Sequence, residues 1–472
     1  MTLPRLSPFS WIALLILLYE IEEQVQFPAT IRLLENSVCQ RHYAALGSVG
    51  VPVDETLCKI GAIQHRLATI RGWYSALSVI PMLLLGPLFG RLAEGVGRRV
   101  VLALVTVGII LGLLLIYVIS ISWRFLPTEL VMFIVIPRFL GGGPFMAITL
   151  HAAMIADISD DNNRSQALYR MFCFKLAIDL VAPQFASLLI AHSLWLPYLL
   201  CGLSLGLTLP VIIVLPETGP NAKAVSWHGI KESLQPAGNL KKYRQMIGRT
   251  AIKLALTVTF LVQLRYNSLQ LLPPYVSVRF GWTISQTAKL LSIVPGISLA
   301  LYLALPSITH TALQRYQSSI QKIDRTVMQL FCLALIVGTA VIAALPGFGS
   351  FIAGLVIVSI GFNIRPPILA VLATCIETTE GVAQIFTLMS ITEGLAHLIG
   401  SLALEAVWGV AVEAGPGLYT LPFWVLTGCF LTAGALAVLL PDMATPAQHS
   451  LNPVDPDGSD EASALLGATE TR

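Results

Sequence analysis

Long apolar segments dominate the chain, with mostly short polar stretches between them. Each is about 20 residues long, the length of helix that crosses the hydrocarbon core of a bilayer. The segments form two sets of six, which cover residues 9–33, 73–92, 100–121, 130–156, 171–190 and 194–215, then 251–272, 287–305, 327–344, 351–373, 382–408 and 421–440. The pattern predicts an all-α integral membrane protein with about twelve transmembrane helices.

The composition places most of the chain in lipid. Hydrophobic residues make up 55% of the 472 residues and charged residues only 12%, whereas a soluble domain carries about 25% charged residues. So few charges cannot cover the surface of a soluble domain of this length. The net charge of +3 gives no reason to expect a nucleic-acid partner. Because the first apolar segment leads into Glu20 rather than a small-residue cleavage site, we expect it to be retained as a membrane helix.

Polar stretches divide the chain into four parts. We expect an N-terminal six-helix bundle over residues 1–215, a basic cytosolic linker over 216–250, a C-terminal six-helix bundle over 251–441 and a disordered cytosolic tail over 442–472. Lysine and arginine fall mostly on the loops that share a side with both termini, and this bias places that side in the cytosol.

The longest loop on the opposite side, residues 34–69, contains Cys39 and Cys58. This side faces an oxidising space in the predicted orientation, which favours a disulfide between the two residues. Two free thiols are the alternative. The remaining cysteines lie in or beside apolar segments and are most simply interpreted as small buried side chains.

A segment rich in glycine and arginine lies between the second and third apolar segments. It reads Gly-Arg-Leu-Ala-Glu-Gly-Val-Gly-Arg-Arg from Gly90. It resembles the signature motif of the major facilitator superfamily, in which Gly97, Arg98 and Arg99 also match and Glu94 replaces the usual aspartate. Glycines permit the close helix approach and the tight turn of such a hairpin. The resemblance implies a charge cluster of Glu94 and the arginines at an inner gate, whereas an ordinary basic cytosolic loop is the alternative.

Two further segments are similar to motifs of the same superfamily. Arg138 precedes three consecutive glycines in the fourth apolar segment, as does the arginine that is tied to proton movement in the drug-antiporter branches. A segment around Pro183 resembles a degraded antiporter motif, for which a proline kink between small residues is the alternative. The cysteine-containing loop and the last two apolar segments also resemble fungal members near the proton-coupled folate transporter branch. The resemblance implies the major facilitator fold, two six-helix bundles around a central cavity.

Charged residues within the apolar segments are the main candidates for a substrate or proton pathway, because each needs a partner, water or substrate inside the membrane. Glu20 and Glu23 share one face of the first helix and Glu22 points away from it, so we expect Glu20 and Glu23 to face the cavity. An interfacial position for them is the alternative. Lys175 and Asp179 are four residues apart and predict an internal ion pair.

The second half contributes two arginines and a glutamate–histidine pair. Arg265 and Arg365 lie near the middle of their segments, and the double proline after Arg365 is expected to bend the helix and free carbonyl groups. We expect the arginines to bind anionic substrate groups or the glutamates of the first helix. Glu393 and His397 are one turn apart, so either they exchange a proton or His397 is a packed core histidine.

No Walker A, metalloprotease, nucleophile-elbow or paired C-x-x-C motif occurs in the sequence. We therefore expect a secondary transporter rather than an enzyme or an ATP-driven pump, with no cofactor and no metal. Its expected partners are a small-molecule substrate, protons and the lipid bilayer, and we expect a monomer.

The antiporter-like motifs favour proton-coupled export of a small amphiphilic organic molecule, such as a secondary metabolite or drug. The alternatives are proton-coupled import of an organic anion, folate-like or another carboxylate, and a non-transporting sensor built on a transporter scaffold. We expect a multi-pass protein of the cell membrane, with the vacuolar membrane as the alternative.

Overall fold

The computed structural model describes residues 7–47, 53–160, 164–218, 247–316, 320–374 and 379–440. Every regular element within these ranges is helical. Most of the predicted linker and all of the predicted tail lie outside the described residues, so the boundaries of these two parts remain predictions.

The described part of the first half contains seven α-helices. They are α1 Pro8–Ala45, α2 Gly61–Gly95, α3 Arg98–Ile121, α4 Val135–Arg138, α5 Pro144–Ile158, α6 Arg164–His192 and α7 Leu196–Val214. Short 3-10 helices at Glu55–Lys59 and Thr128–Ile134 precede α2 and α4. Because the second of these continues through α4 and α5 as one interrupted crossing, this half crosses the membrane six times.

The second half has the same number of crossings. Its described helices are α8 Thr250–Phe280, α9 Ile284–Ala288, α10 Ile293–Tyr316, α11 Ile320–Ala344, α12 Phe348–Gly361, α13 Arg365–Thr374, α14 Thr379–Ala414 and α15 Leu421–Val438. The 3-10 turn Lys289–Ser292 joins α9 to α10, and the 3-10 turn Phe362–Ile364 joins α12 to α13. Each pair forms a single interrupted crossing.

Nine helical segments of the described residues are long and apolar enough to span a bilayer on their own. The first and seventh crossings, α1 and α8, are not among the nine because charged and polar residues interrupt their apolar sequences, Glu20 to Glu23 in α1 and Arg265 in α8. The fourth crossing is divided by its break, and its apolar half is the shorter helix α5. The predicted fold class, an all-α membrane protein of about twelve crossings, is confirmed.

Each half has its own hydrophobic core. The first core is formed by residues of α1 to α7, including Leu15, Leu34, Ile63, Val105 and Leu205. The second core is formed by residues of α8 to α15, including Ala255, Leu335, Leu372, Trp408 and Phe430, together with Ala68 of α2. Two cores divided at the linker are what two six-helix bundles require.

The bundles meet along two seams, α2 against α14 and α6 against α9 and α10. The close contact between α2 and α14 requires glycine on α2. A Cβ atom on Gly61 would lie only 3.0 Å from the carbonyl oxygen of Val412. A Cβ atom on Gly72 would lie 3.1 Å from the Cβ of Glu405. On the second seam, the Ser285 hydroxyl donates to the Ser187 carbonyl at 2.8 Å.

Candidate functional site

An acidic network lies inside the N-terminal bundle between α1 and α6. The Lys175 ammonium group forms ion pairs with Glu20 and Asp179, and its Nζ lies 3.3 Å from Asp179 Oδ2. Glu20 is only 3% exposed, so one lysine compensates two carboxylates away from water. The predicted Lys175–Asp179 pair is present as part of a three-residue network that also includes Glu20.

Glu22 is buried beside this network. Its Oε1 has no hydrogen-bond partner among the described residues. Glu22 lines one pocket together with Tyr19, Glu20, Glu23 and His151. The prediction that Glu22 points away from the site is wrong, because α2, α3, α5, α6 and α7 all contact α1 and leave no outward face for that residue.

Three glycines interrupt the fourth crossing directly beside this pocket. Gly141, Gly142 and Gly143 have φ angles of 93°, 89° and 75°, in the left-handed region that favours glycine. A Cβ atom on Gly141 would lie 2.5 Å from the main-chain nitrogen of Val105, so α3 also requires a glycine there. The helix restarts as α5 at Pro144, which lines the same pocket.

Arg138 is the last residue of α4, immediately before this break. It is buried, its Nη2 lies 3.4 Å from the Tyr74 hydroxyl, and its guanidinium carbon lies 5.6 Å from the centre of the Tyr74 ring. Arg138 forms no ion pair with a described acid, and Glu22 is a carboxylate with which it interacts electrostatically. The break thus brings a cation close to the partly unpaired carboxylate.

Arg265 is buried in the C-terminal bundle. Its Nε donates to the Phe362 carbonyl at 3.2 Å, and its Nη1 donates to the Val262 carbonyl at 2.9 Å and to Gln263 Oε1 at 3.2 Å. The Phe362 carbonyl is available because Pro366, four residues later, has no N–H group to bond to it. The predicted release of carbonyl groups by the double proline therefore provides a partner for Arg265.

Arg365 and Glu393 face each other across α13 and α14. Arg365 Nε lies 2.8 Å from Glu393 Oε1, and its Nη2 lies 3.3 Å from Oε2. His397 instead lies 3.1 Å from the Ser75 hydroxyl of the other bundle. The structure thus gives Glu393 and His397 different partners, and among the described residues neither Arg265 nor Arg365 pairs with the glutamates of α1.

A buried ion pair that sequence reasoning missed connects the two bundles. Arg71 Nη2 lies 2.7 Å from Glu405 Oε1 and donates to the Gln270 carbonyl at 2.6 Å. This carbonyl is also available because of a proline, since Pro274 follows four residues later. Arg71 was overlooked because the apolar segment begins at Trp73, whereas α2 already begins at Gly61.

The signature motif connects the start of α3 with the end of α5 and with the residues just after α7. The Arg98 and Arg99 main-chain nitrogens donate to Glu217 at 2.8 and 3.4 Å, and Arg98 Nε lies 3.1 Å from Asp157 Oδ2. Glu94 is exposed and has no ion-pair partner among the described residues. The acids of this cluster are therefore Glu217 and Asp157 rather than the predicted Glu94, because they lie beside the start of α3 while Glu94 points to solvent.

The glycines of the motif differ in their surroundings. Gly97 has a φ angle of 122°, and a Cβ atom there would lie 2.5 Å from a carboxylate oxygen of Glu217. A Cβ atom on Gly90 would have no described atom within 4 Å. Among the described residues, the motif is held by Asp157 at the end of α5, by main-chain carbonyl groups at the end of α7 and by Glu217 just after α7.

On the opposite face, Cys39 and Cys58 form a disulfide, with their Cα atoms 5.4 Å apart. The disulfide fixes the 3-10 helix Glu55–Lys59 to the end of α1. Glu55 Oε1 accepts a hydrogen bond from the Ile284 main-chain nitrogen at 2.7 Å, which ties this loop to the C-terminal bundle.

Comparisons with known proteins agree with this architecture. The fungal MFS efflux pump atnC of Emericella nidulans is 28% identical over 427 residues, which cover 87% of this chain and 82% of the pump. The MFS-type transporter avaK of Aspergillus versicolor is 23% identical over 438 residues, which cover 90% of each chain. Both relatives are similar to this chain along most of their length.

Solved transporter structures share the fold. The human organic anion transporter MFSD10 (TETRAN) aligns with a TM-score of 0.59 at 18% identity, over 91% of this chain and 98% of its own. A point mutant of the nucleoside transporter NupG aligns with a TM-score of 0.63 at 14% identity, over 92% of this chain and 100% of its own. The family profile of the Major Facilitator Superfamily matches residues 64–401. This chain, with its two six-helix bundles and its matching signature motif, belongs to the Major Facilitator Superfamily of membrane transporters.

Proposed function

We propose that the protein is a proton-coupled exporter of a small amphiphilic organic molecule. The observation that carries this proposal is the buried Glu22, which has one carboxylate oxygen without a partner among the described residues and shares a pocket with Glu20 and Glu23. An ionised carboxylate is costly at membrane depth unless it is compensated. A carboxylate in this position is suited to take up a proton at one side of the membrane and to release it when Arg138 approaches.

The remaining predicted residues complete the proposed pathway. Substrate and protons would pass between the acidic pocket of the N-terminal bundle and a basic side of the cavity in the C-terminal bundle, formed by Arg265, Arg365, Glu393 and His397. Export is supported by the fungal relative atnC, whose name describes it as an efflux pump. The cell membrane is the location that an exporter of this kind would need.

Proton-coupled import of an organic anion is the second candidate function. It is favoured by Arg265, a buried cation that no described acid compensates. Both candidates use the same fold, and the direction of flux relative to the proton gradient distinguishes them.

The test is transport by the purified protein in sealed liposomes that contain a pH-sensitive dye. A panel of fluorescent amphiphiles and organic anions is added under an imposed pH gradient of either sign, with a protonophore as control. Export predicts that substrate and protons move in opposite directions, whereas co-movement would establish the import candidate. If no panel compound moves under either gradient, the transport proposal fails.

The variant Glu22→Gln is expected to abolish the proton flux that accompanies substrate, because glutamine cannot exchange a proton. Glu94→Gln is the matched control, since Glu94 is exposed and lies outside the pocket. Normal proton-coupled transport by Glu22→Gln would remove Glu22 from the pathway.

A further inference from the structure

Arg265 has more hydrogen-bond donors than acceptors around it. A guanidinium group presents five N–H donors. In Arg265, Nε and Nη1 donate to two carbonyl groups and one amide oxygen, whereas Nη2 is buried and has no hydrogen-bond partner among the described residues. The side chain is 1% exposed, so water does not supply the missing acceptor at its surface. Two N–H groups of a cation are therefore left unused at membrane depth.

The same side chain also lacks a counter-charge within the described residues. Three other interior cations have one, as Arg365 pairs with Glu393, Arg71 with Glu405 and Lys175 with Glu20. A fourth, Arg138, forms no ion pair but interacts electrostatically with Glu22. Arg265 meets only neutral acceptors in the part of the chain that the structure describes. Removing a charge from water costs several kcal/mol unless an opposite charge compensates it. A site with this deficit is suited to an anion that arrives from outside the protein.

Two aromatic rings lie close to this guanidinium. The guanidinium carbon lies 4.5 Å from the centre of the Tyr266 ring and 5.9 Å from the centre of the Phe362 ring. Tyr266 is 41% exposed, and the Arg365 side chain, with which it interacts electrostatically, is 44% exposed. The accessible surface next to Arg265 is thus an aromatic ring flanked by positive charge.

We propose, building on the transport function above, that the substrate is an aromatic or conjugated organic acid. Its anionic group, a carboxylate or an ionised phenol or enol, binds Nη2 of Arg265. Its planar body stacks against Tyr266. Planar anions match the geometry of a guanidinium group, and charge-assisted hydrogen bonds of this kind are roughly twice as strong as neutral ones. Arg365 is held by Glu393 and adds positive potential at the entrance rather than a direct bond.

The test is equilibrium binding to the full-length protein in phosphatidylcholine nanodiscs, with the same pH on both sides. The probes are 2-naphthoate and its uncharged isostere 2-naphthamide. A hydrogen bond to a charged group contributes about 1.5–3 kcal/mol, so the wild-type protein is expected to bind the acid about ten- to a hundredfold more tightly than the amide. Equal affinities, or no saturable binding of 2-naphthoate, would overturn the proposal.

The variant Arg265→Gln is expected to lose this preference by weakening 2-naphthoate binding at least about tenfold while the affinity for 2-naphthamide stays the same. Lys253→Gln removes an exposed positive charge from the same helix and is expected to change neither affinity. Equal losses in both variants would show a general charge effect and contradict a site at Arg265. If Arg265→Gln does not fold, the wild-type comparison of acid and amide still decides.

A lipid headgroup could supply the same anionic chemistry. Nanodiscs that contain phosphatidylglycerol separate the two sources, because an organic-acid site keeps its affinity for 2-naphthoate in them. Displacement of the probe by this lipid in an Arg265-dependent manner would assign the site to a headgroup and overturn the proposal. Because no gradient is imposed, a failure of binding is distinguishable from a failure of proton-coupled transport.

Discussion

The candidate sites of the two bundles carry an excess of opposite charge. The pocket and network of the N-terminal bundle contain more acids than bases, namely Glu20, Glu22, Glu23 and Asp179 against Lys175 and Arg138. The corresponding part of the C-terminal bundle contains more bases than acids, namely Arg265 and Arg365 against Glu393. In the functions proposed above, the N-terminal bundle would hold protons and the C-terminal bundle would hold an anion, so proton coupling and substrate recognition would lie in separate halves.

The bundles also break their fourth crossings by different means. In the first half, left-handed glycines interrupt the helix after Arg138. In the second half, prolines after Arg365 remove two N–H groups, and Asn363 has non-helical angles of φ −84° and ψ 17°. The proline break leaves a carbonyl that Arg265 uses, whereas the glycine break lets α3 approach closely. The proline break therefore supplies an acceptor to a buried cation, and the glycine break supplies room for helix packing.

The largest effect is expected from Lys175→Met, which would leave Glu20 and Asp179 buried without their shared cation. Removing one partner of a buried charge network costs about 3–5 kcal/mol of unfolding free energy. Unfolding of the detergent-solubilised protein by heat or denaturant measures the loss. Adding Glu20→Gln to Lys175→Met should recover part of it, since one of the two uncompensated charges is then gone. A loss below about 1 kcal/mol would mean that Glu20 and Asp179 do not depend on Lys175 for charge compensation.

A smaller effect is expected at the seam between the bundles. Glu405→Gln removes the charge that faces Arg71 but leaves the hydrogen bond from Arg71 to the Gln270 carbonyl, so the expected cost is about 2 kcal/mol. Glu413→Gln is the matched control on the same helix, because Glu413 pairs with His65 at 3.0 Å and its side chain is 64% exposed. Exposed pairs contribute about 0–1 kcal/mol. Equal costs for the two variants would show that burial does not set the strength of the seam.

Much of the fold follows from the sequence because a bilayer leaves few solutions. Apolar segments of about 20 residues must become helices, since only a helix satisfies its own backbone groups in lipid. The sequence also predicts which charged residues lie within those segments, because each stands in an otherwise apolar stretch. This reasoning identified Glu20, Arg138, Arg265, Arg365 and Glu393 by type and depth.

The partners of these residues could not be predicted in the same way. Arg365 and Glu393 are 28 residues apart and on different helices, so their contact depends on packing that no local pattern encodes. The position of Glu22 depended on which helices enclose α1. One general rule predicts some of these partners. A proline in a helix frees the carbonyl group four residues earlier, which can then accept a hydrogen bond. Applied to Pro366 and Pro274, it identifies the acceptors that the structure gives to Arg265 and Arg71.

The smallest effect on stability is expected from Arg98→Ala in the signature motif. The Arg98 side chain pairs with Asp157 in this conformer, and both side chains are partly exposed, so the expected cost is below about 1 kcal/mol. Transport should nevertheless slow severalfold, because the Arg98–Asp157 pair joins α3 to α5 within the signature motif and is expected to rearrange when the transporter changes conformation. Affinity for 2-naphthoate in nanodiscs should stay at the wild-type value, since Arg98 is not part of the site around Arg265. A change in affinity with unchanged transport rate would place Arg98 in recognition rather than in gating, and would remove the division between a coupling bundle and a recognition bundle.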